Sequence, residues 1–322
     1  MERRSVGASG LSVSRLGLGT MTWARDTSAD DARQLVRAFV AAGGDLIDTA
    51  PAYGRGEAER ILGRLMRTDV ARDDLVLATK AGFVFRDGVR VVDTSRRVLL
   101  DDLHDSLRRL GTDHIDLWQL HAWGAAPLEE SLAAIDHAVS SGDVRYAGVS
   151  NFVGWQTAAA ATWQAAFPGR ARIVSAQVEY SLLARRAEVE VLPAVRHFEM
   201  GFFPWSPLGR GVLTGQYRQG IPRGSRGAAE HFAWYVEPYL ETRSRAVVES
   251  VAKAANGLGW EPVQVALLWV RDAPGVTAPL LGARNVTQLQ PLLDAEALAL
   301  PEEIAAALDD VSGGANEARR GR

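Results

Sequence analysis

The feature that most constrains the fold is a repeated alternation of short apolar runs with stretches of helical, amphipathic pattern. Eight apolar runs are predicted to be strands, at residues 15–19, 45–48, 75–80, 115–120, 144–149, 173–178, 201–204 and 276–281. A helical pattern lies between each of these runs and the next. Strands joined through helices pair in parallel and leave the helices outside the sheet. The alternation therefore predicts an α/β fold with a parallel sheet.

The number of repeated units indicates which α/β fold to expect. Eight units of roughly 30 residues each match a (β/α)8 TIM barrel. Gly7 and Gly10 predict a small hairpin before the first strand, and two helical patterns follow the last strand. We therefore expect a (β/α)8 TIM barrel with an N-terminal β-hairpin and extra C-terminal helices. It would form a single domain over residues 1–312, with a flexible tail at 313–322. A doubly wound parallel sheet is the alternative.

The composition argues against several classes of protein. The 322 residues carry a formal net charge of -3, without the basic excess that binds nucleic acid. There is no cysteine, and no His-Glu-x-x-His pattern, so neither disulfides nor a metal site are expected. The N-terminus lacks the pattern of a secretory signal, and no apolar stretch is long enough to cross a membrane. We expect a cytoplasmic protein without nucleic-acid or membrane partners.

Four chemically distinct polar side chains lie at or just beyond the ends of successive predicted strands. Asp48 ends the second strand, Tyr53 follows it, Lys80 ends the third strand and His121 follows the fourth. Lys80 is conspicuous because only two of the 36 lysines and arginines are lysines. An ammonium shifts its pKa readily, whereas a guanidinium does not. Since reactive groups of TIM barrels lie at the carboxyl ends of the strands, we expect these side chains to share one site.

The four groups suit the reduction of a carbonyl compound. A phenol has a pKa of about 10 in water, and the ammonium of Lys80 is expected to lower the pKa of Tyr53. Asp48 would hold Lys80 in its charged form, and His121 would donate a hydrogen bond to the carbonyl oxygen. A bound cofactor would supply hydride and Tyr53 the proton. The alternative for Asp48 and Lys80 is a purely structural buried ion pair.

In order and spacing, these four residues resemble the catalytic residues of the aldo-keto reductase family. Four further segments carry the same resemblance: Gly148-Val149-Ser150-Asn151-Phe152, Gln177-Val178-Glu179-Tyr180, Trp205-Ser206-Pro207-Leu208 and Gly282-Ala283-Arg284. It extends over nearly the whole chain. The resemblance implies a (β/α)8 barrel that reduces aldehydes and ketones with NADPH, or less often with NADH.

The resemblance also implies which residues bind the cofactor. Ser150, Asn151 and Gln177 would hydrogen-bond the nicotinamide carboxamide, while Trp205 would stack against its ring. Arg284 would lie near the adenosine 2′-phosphate, which favours NADPH over NADH. The remaining residues assigned to the cofactor, several of them around the pyrophosphate, are Gly19, Thr20, Met21, Ser206, Pro207, Leu208, Gly209, Arg210, Gly282 and Gln288.

The chain departs from the family pattern at two places. Pro291 and Leu292 stand where relatives commonly read adenine with an acid or an amide, and Trp123 lies in a segment where relatives often carry an acid. We expect Trp123, with Trp23 and Phe83, to wall a pocket for a bulky apolar or aromatic carbonyl substrate. The long loop at 214–240 is expected to cover part of the opening.

These observations predict an NADPH-dependent carbonyl reductase that acts as a monomer or weak homo-oligomer on a small-molecule substrate. The alternative is a redox-sensing regulatory subunit that binds a nicotinamide cofactor and turns over slowly.

Overall fold

Eight of the strands in the computed structural model, which describes residues 1–313, form a closed parallel barrel. The strands in chain order are β1 (Arg3–Ser5), β2 (Ser12–Ser14), β3 (Gly17–Gly19), β4 (Leu46–Asp48), β5 (Val76–Ala81), β6 (Phe83–Arg86), β7 (Val89–Val92), β8 (Ile115–Leu120), β9 (Val144–Ser150), β10 (Ile173–Glu179), β11 (Gly201–Trp205) and β12 (Leu280–Leu281). The barrel runs β3-β4-β5-β8-β9-β10-β11-β12 and closes between β12 and β3. The other strands form two antiparallel hairpins, β1–β2 and β6–β7.

Helices surround the barrel. They are α1 (Ala29–Ala41), α2 (Glu57–Thr68), α3 (Arg96–Leu110), α4 (Leu128–Ser141), α5 (Gly154–Ala165), α6 (Val191–His197), α7 (Glu230–Val236), α8 (Thr242–Leu258), α9 (Pro262–Arg271), α10 (Val286–Asp294) and α11 (Glu302–Ser312). Local sequence sets several helix ends. The Ser28 hydroxyl accepts the Asp31 N–H at the start of α1, and Gly111 and Gly142 take the left-handed conformation that ends α3 and α4.

The first hairpin packs against the amino end of the barrel. Val6, Leu11 and Val13 form a buried apolar cluster with inward side chains that include Leu46 and Phe203. A larger apolar cluster fills the space between the strands and the helices. Because the amino end is filled by apolar side chains, the carboxyl ends of the strands remain for polar ones.

The predicted TIM barrel, the N-terminal hairpin and the helices after the last strand are confirmed. The last barrel strand is shorter than predicted, since only residues 280 and 281 of 276–281 form β12. Pro279, which has no N–H to donate, precedes it. Hairpin β6–β7 and helix α7 were not predicted. Of the tail expected at 313–322, residues 314–322 lie outside the described part of the chain.

Candidate active site

A buried polar layer lies at the carboxyl end of the barrel. Asp48 is the last residue of β4, and its Oδ2 accepts hydrogen bonds from the side-chain amides of Gln177 (2.9 Å) and Gln119 (3.4 Å). The other carboxylate oxygen, Oδ1, lies 2.5 Å from the Nζ of Lys80. Asp48 is thus held on both sides within the barrel, which keeps its charge satisfied away from water.

Lys80 is fully buried, and each proton of its ammonium has an acceptor. Nζ donates to Asp48, to the main-chain oxygen of Thr49 (3.1 Å) and to the hydroxyl of Tyr53 (3.2 Å). Burial acts to lower the pKa of Lys80, but its attraction to Asp48 and Tyr53 outweighs burial and raises that pKa. Lys80 therefore remains an ammonium at neutral pH.

Tyr53 lies at the start of a tight turn between β4 and α2. The next three residues, Gly54, Arg55 and Gly56, all have positive φ, so the chain reverses sharply there. Burial raises the pKa of Tyr53 and Asp48 adds to the rise, whereas Lys80 acts in the opposite direction without prevailing. Lys80 thus acts on the pKa of Tyr53 in the direction expected from the sequence, but burial, which the sequence does not reveal, outweighs it. Tyr53 is held as a protonated phenol.

His121 faces Tyr53 across the site, with the two ring centroids 5.9 Å apart. Burial and the positive charges of Lys80 and Arg90 hold the pKa of His121 well below its usual value, so the imidazole is neutral. Its Nδ1 is buried without a hydrogen-bond partner among the described residues. A proton on Nδ1 would therefore lack an acceptor, which favours the tautomer with its proton on Nε2.

These groups border a cavity of about 580 Å3. Asp48, Tyr53 and His121 line it, while Lys80 lies behind Asp48 and Tyr53. Most residues assigned to the cofactor also line the cavity: Gly19, Met21, Ser150, Asn151, Gln177, Trp205, Ser206, Pro207, Leu208, Arg210, Gly282, Arg284 and Gln288. The volume lies in the range of small-molecule and cofactor sites.

Two of the residues assigned to the cofactor lie just behind the cavity wall. Thr20 is buried, and its hydroxyl donates to that of Thr49 at 2.8 Å. Gly209 is buried with a φ of +55°, and a Cβ added there would lie 2.8 Å from the Leu183 side chain. Both therefore shape the loops that carry the lining residues.

The three expected pocket aromatics occupy different environments. Phe83 lines the cavity, and its ring lies 4.2 Å from that of His121. Trp23 is completely buried in the apolar core, and Trp123 packs against Phe152 on the side facing α5. Neither tryptophan lies in the cavity wall, because each turns towards apolar partners that the sequence alone does not reveal.

Three lining residues, Asn151, Ser206 and Arg210, have backbone conformations that are uncommon outside glycine, and the φ of Arg210 is +57°. Asn151 and Ser206, each directly following a barrel strand, have φ values of +56° and +53°. The Asn151 side chain donates to the His121 main-chain oxygen (2.9 Å) and accepts from the Trp205 indole N–H (3.1 Å). Local strain of this kind is concentrated at functional sites, where the surrounding structure holds it in place.

The loop at 214–240 contributes to the cavity wall through two of its aromatic residues, Phe232 and Tyr235, and through four residues that the sequence did not single out: Thr214, Gln216, Arg226 and Ala229. His231 bonds Asp26, in the loop after β3, at 3.1 Å, so α7 reaches across the opening. Arg210 anchors this loop, because it pairs with Glu179 at 2.6 Å and donates to the Tyr235 main-chain oxygen. The aromatic content of the loop was the available signal.

Two arginines lie together at another part of the cavity. The guanidinium of Arg284 donates to the main-chain oxygen of Gly224, and the main-chain N–H of Arg284 donates to the side-chain oxygen of Gln288. Burial and the charge of Arg284 lower the pKa of Arg226, although nearby tyrosines act in the opposite direction. Pro291 and Leu292 line the same cavity. The region therefore combines two guanidinium groups with an apolar wall.

Within residues 1–313, no group of three or more acidic, histidine or cysteine side chains is arranged to hold a metal ion. No helix in the same range has both the length and the apolar character needed to cross a membrane.

Comparison with known proteins agrees with this architecture. The chain is 36% identical over 323 residues to the uncharacterized oxidoreductase YrpG of Bacillus subtilis (strain 168), covering 97% of this chain and 96% of that protein. It is 31% identical over 300 residues to the aldo-keto reductase YhdN of the same organism, covering 91% and 88%. A probable voltage-gated potassium channel subunit beta of Oryza sativa subsp. japonica is 32% identical over 323 residues, covering 94% of each chain. The model of the Aldo/keto reductase family matches residues 15–312. A match from the first barrel strand to the last helix, with relatives aligned over most of their lengths, shows that this chain belongs to the aldo/keto reductase family.

Proposed function

We propose that the protein is an NADPH-dependent oxidoreductase that reduces an aldehyde or ketone to an alcohol. The observation that carries this proposal is the chain of contacts from Asp48 through Lys80 to Tyr53, with the 3.2 Å contact between Nζ and the phenol oxygen at the cavity wall. This arrangement supports proton donation from Tyr53. A phenolate formed there would have an ammonium beside it, which stabilises the negative charge.

The residues around the cavity fit a nicotinamide cofactor. Ser150, Asn151 and Gln177 offer hydrogen-bonding side chains for a carboxamide, and Trp205 offers a ring face. Residues 206–210 would hold the pyrophosphate. A nicotinamide cofactor bound here would supply hydride to the carbonyl carbon of the substrate.

Arg226 and Arg284 support NADPH as the preferred form. Guanidinium groups bind phosphate through charge-assisted hydrogen bonds, and a 2′-phosphate distinguishes NADPH from NADH. With Pro291 and Leu292 nearby, adenine would contact an apolar wall instead of an acid or an amide.

Substrate activation follows from the protonation states of the two groups that face each other. The Nε2–H of neutral His121 would donate to the carbonyl oxygen and polarise the carbonyl bond. Tyr53 would donate its phenolic proton to the carbonyl oxygen as the carbonyl is reduced, and the product would be the alcohol. Lys80 holds the resulting phenolate until a proton from water restores the phenol.

The test is the oxidation of NADPH in the presence of a panel of aldehydes, ketones and sugars, repeated with NADH. Tyr53→Phe should lower kcat by about 10²–10⁴, the usual contribution of a general acid. NADPH binding, measured by fluorescence titration, should persist. Tyr146→Phe is the matched control, since Tyr146 packs with the apolar cluster at the opposite end of the barrel. Wild-type rates in Tyr53→Phe would overturn the mechanism.

A second candidate is a regulatory subunit that binds a nicotinamide cofactor and turns over slowly. The observation in its favour is the similarity to a plant protein named as a probable channel subunit beta. Tight NADPH binding with negligible turnover across the whole panel, together with capture of a stable partner, would favour this role. Rapid turnover of a carbonyl substrate would favour the reductase.

A further inference from the structure

The hairpin β6–β7 brings a cation to the substrate side of the cavity. Phe83 stacks on His121 with ring centroids 4.2 Å apart, and the Arg90 guanidinium carbon lies 4.6 Å from the Phe83 ring centroid. Phe83 and Arg90 both line the cavity beside Tyr53 and His121. Arg90 is therefore separated from His121 by one aromatic ring.

The hairpin geometry accounts for this position. Phe83 and Phe85 share one face of β6, because side chains alternate along a strand, and Arg90 lies opposite Phe85 on β7. Arg90 is consequently a diagonal neighbour of Phe83. Asp87 and Gly88 both have positive φ in the connecting turn, which fixes the register of the pair.

The guanidinium of Arg90 has no ion-pair or hydrogen-bond partner among residues 1–313, in contrast to that of Arg86, the other arginine of the hairpin strands. Arg86 pairs with Asp93 and does not line the cavity. The charge of Lys80 is balanced by Asp48, and Arg210 is paired with Glu179. Among the residues that line the cavity beside Tyr53 and His121, Arg90 carries a positive charge that no described carboxylate balances. Because no described acceptor engages them, the N–H groups of the Arg90 guanidinium can bind a planar, bidentate acceptor.

We propose that the substrate is a carbonyl compound that also carries a carboxylate, and that Arg90 binds this carboxylate while the carbonyl oxygen meets Tyr53 and His121. This inference rests on the proposed reductase function and narrows it to one class of substrate. Because only one aromatic ring separates Arg90 from His121, the two groups of the substrate would be separated by a short chain or a single ring.

The experiment compares 4-carboxybenzaldehyde with its methyl ester, which has the same aldehyde and ring without the charge. Wild-type kcat/KM should be about 10–100-fold higher for the acid, the range of a hydrogen-bonded charged pair. Arg90→Gln should remove most of this ratio, mainly through KM, because Arg90 lies away from the reacting carbon. Added salt should raise the KM for the acid in the wild type and have little effect in the variant.

Arg86→Gln is the matched control, because it removes a guanidinium from the same hairpin outside the cavity. It should retain the preference for the acid. Equal kcat/KM for acid and ester in the wild type, or an unchanged ratio in Arg90→Gln, would overturn the proposal. Partial recovery of the acid-to-ester ratio of kcat/KM in Arg90→Lys would support a requirement for positive charge. The part of the ratio that is not recovered would be assigned to the bidentate geometry of the guanidinium.

Binding measurements separate this inference from the proposed function. Calorimetric titration of benzoate into the wild type and into Arg90→Gln measures the affinity of each protein for a carboxylate. This measurement does not depend on whether the protein reduces a carbonyl. If no aldehyde is reduced but benzoate binds at least tenfold more weakly to the variant, by the same estimate, the anion site stands and the reductase function fails. If the ester is reduced but benzoate binds both proteins equally, the reductase stands and the anion site fails.

Discussion

Two buried ion pairs lie on opposite sides of β5. Lys80 points into the barrel and pairs with Asp48 at 2.5 Å. The preceding residue, Thr79, is also buried and donates at 2.7 Å to Glu59 on α2, which in turn pairs with Arg109 on α3 at 2.6 Å. Successive side chains of a strand point to opposite faces, so one strand supports both pairs.

The two pairs differ in what else they contact. The outer pair, Glu59 and Arg109, joins β5 to two helices. Neither of its residues borders the cavity at the carboxyl end of the barrel. The inner pair, Asp48 and Lys80, also contacts Tyr53, which lines the cavity. A buried ion pair alone is thus poor evidence for a reactive site, whereas a pair that extends to a proton donor beside a cavity is much stronger evidence.

Breaking the inner pair should have the largest effect. Lys80→Met removes the stabilisation of a phenolate at Tyr53, so kcat should fall by about 10²–10⁴. It also leaves the carboxylate of Asp48 buried without its partner, which should lower the free energy of unfolding by about 3–5 kcal/mol. Steady-state kinetics and urea unfolding measure the two effects separately.

A double variant distinguishes lost chemistry from lost stability. In Asp48→Asn with Lys80→Met, no unpaired charge remains, so most of the unfolding free energy should return while kcat remains low. If kcat recovered together with stability, the inner pair would be structural, as the outer pair is.

Breaking the outer pair should affect stability alone. Glu59→Gln keeps an oxygen for the Thr79 hydroxyl but leaves Arg109 with only the more distant and exposed carboxylate of Asp105, at 3.8 Å, as a counter-charge. We expect the free energy of unfolding to fall by about 3 kcal/mol, at the lower end for buried pairs because Arg109 retains some contact with water. The values of kcat and KM should stay close to those of the wild type. Unfolding in urea and NADPH oxidation are the measurements.

Removing the second charge should reverse this loss. Glu59→Gln with Arg109→Met replaces the outer ion pair by a neutral contact, and its unfolding midpoint in urea should return towards that of the wild type. A fall in kcat similar to that of Lys80→Met would contradict the distinction between the two pairs.

The inner pair could be located from the sequence because of its position along the chain. Asp48 and Lys80 end adjacent predicted strands, and the closed barrel brings such ends together. The outer pair offers no comparable signal. Glu59 and Arg109 lie on separate helices, and their meeting depends on how α2 and α3 pack against β5.

Loop features were predicted less completely than the barrel. The sequence Phe83 to Val92 alternates around Asp87 and Gly88, a strong hairpin signal that would have predicted β6–β7 and drawn attention to Arg90. No comparable local signal shows that Trp23 packs into the core or that Arg226 lies beside Arg284. Those placements depend on long-range packing, as does the net pKa of Tyr53.

The smallest effect should come from Asp102, a titrating neighbour of the outer pair. Its carboxylate accepts the N–H of Gly82 at 2.9 Å, where the chain leaves β5 for β6. Burial raises the pKa of Asp102 to about 6, and the hydrogen bond from Gly82 and the charge of Arg109 oppose this rise only partly. Since an unfolded aspartate has a pKa of about 3.9, the folded state binds the proton more tightly.

The sign of the pH dependence follows from this difference. The contribution of Asp102 to stability is fully present below pH of about 4 and is lost as the pH rises through about 6. Asp102→Asn keeps an acceptor for Gly82 and cannot ionise, so it should gain stability relative to the wild type between those values, by on the order of 1 kcal/mol. Urea unfolding across this range tests the prediction, with Asp101→Asn on the same helix as the control for loss of a negative charge. If the difference in unfolding free energy between Asp102→Asn and the wild type did not change with pH, the ionisation of Asp102 would not be the source of the pH dependence. A large change in the kcat of Asp102→Asn would contradict the separation of Asp102 and the outer pair from the reactive site.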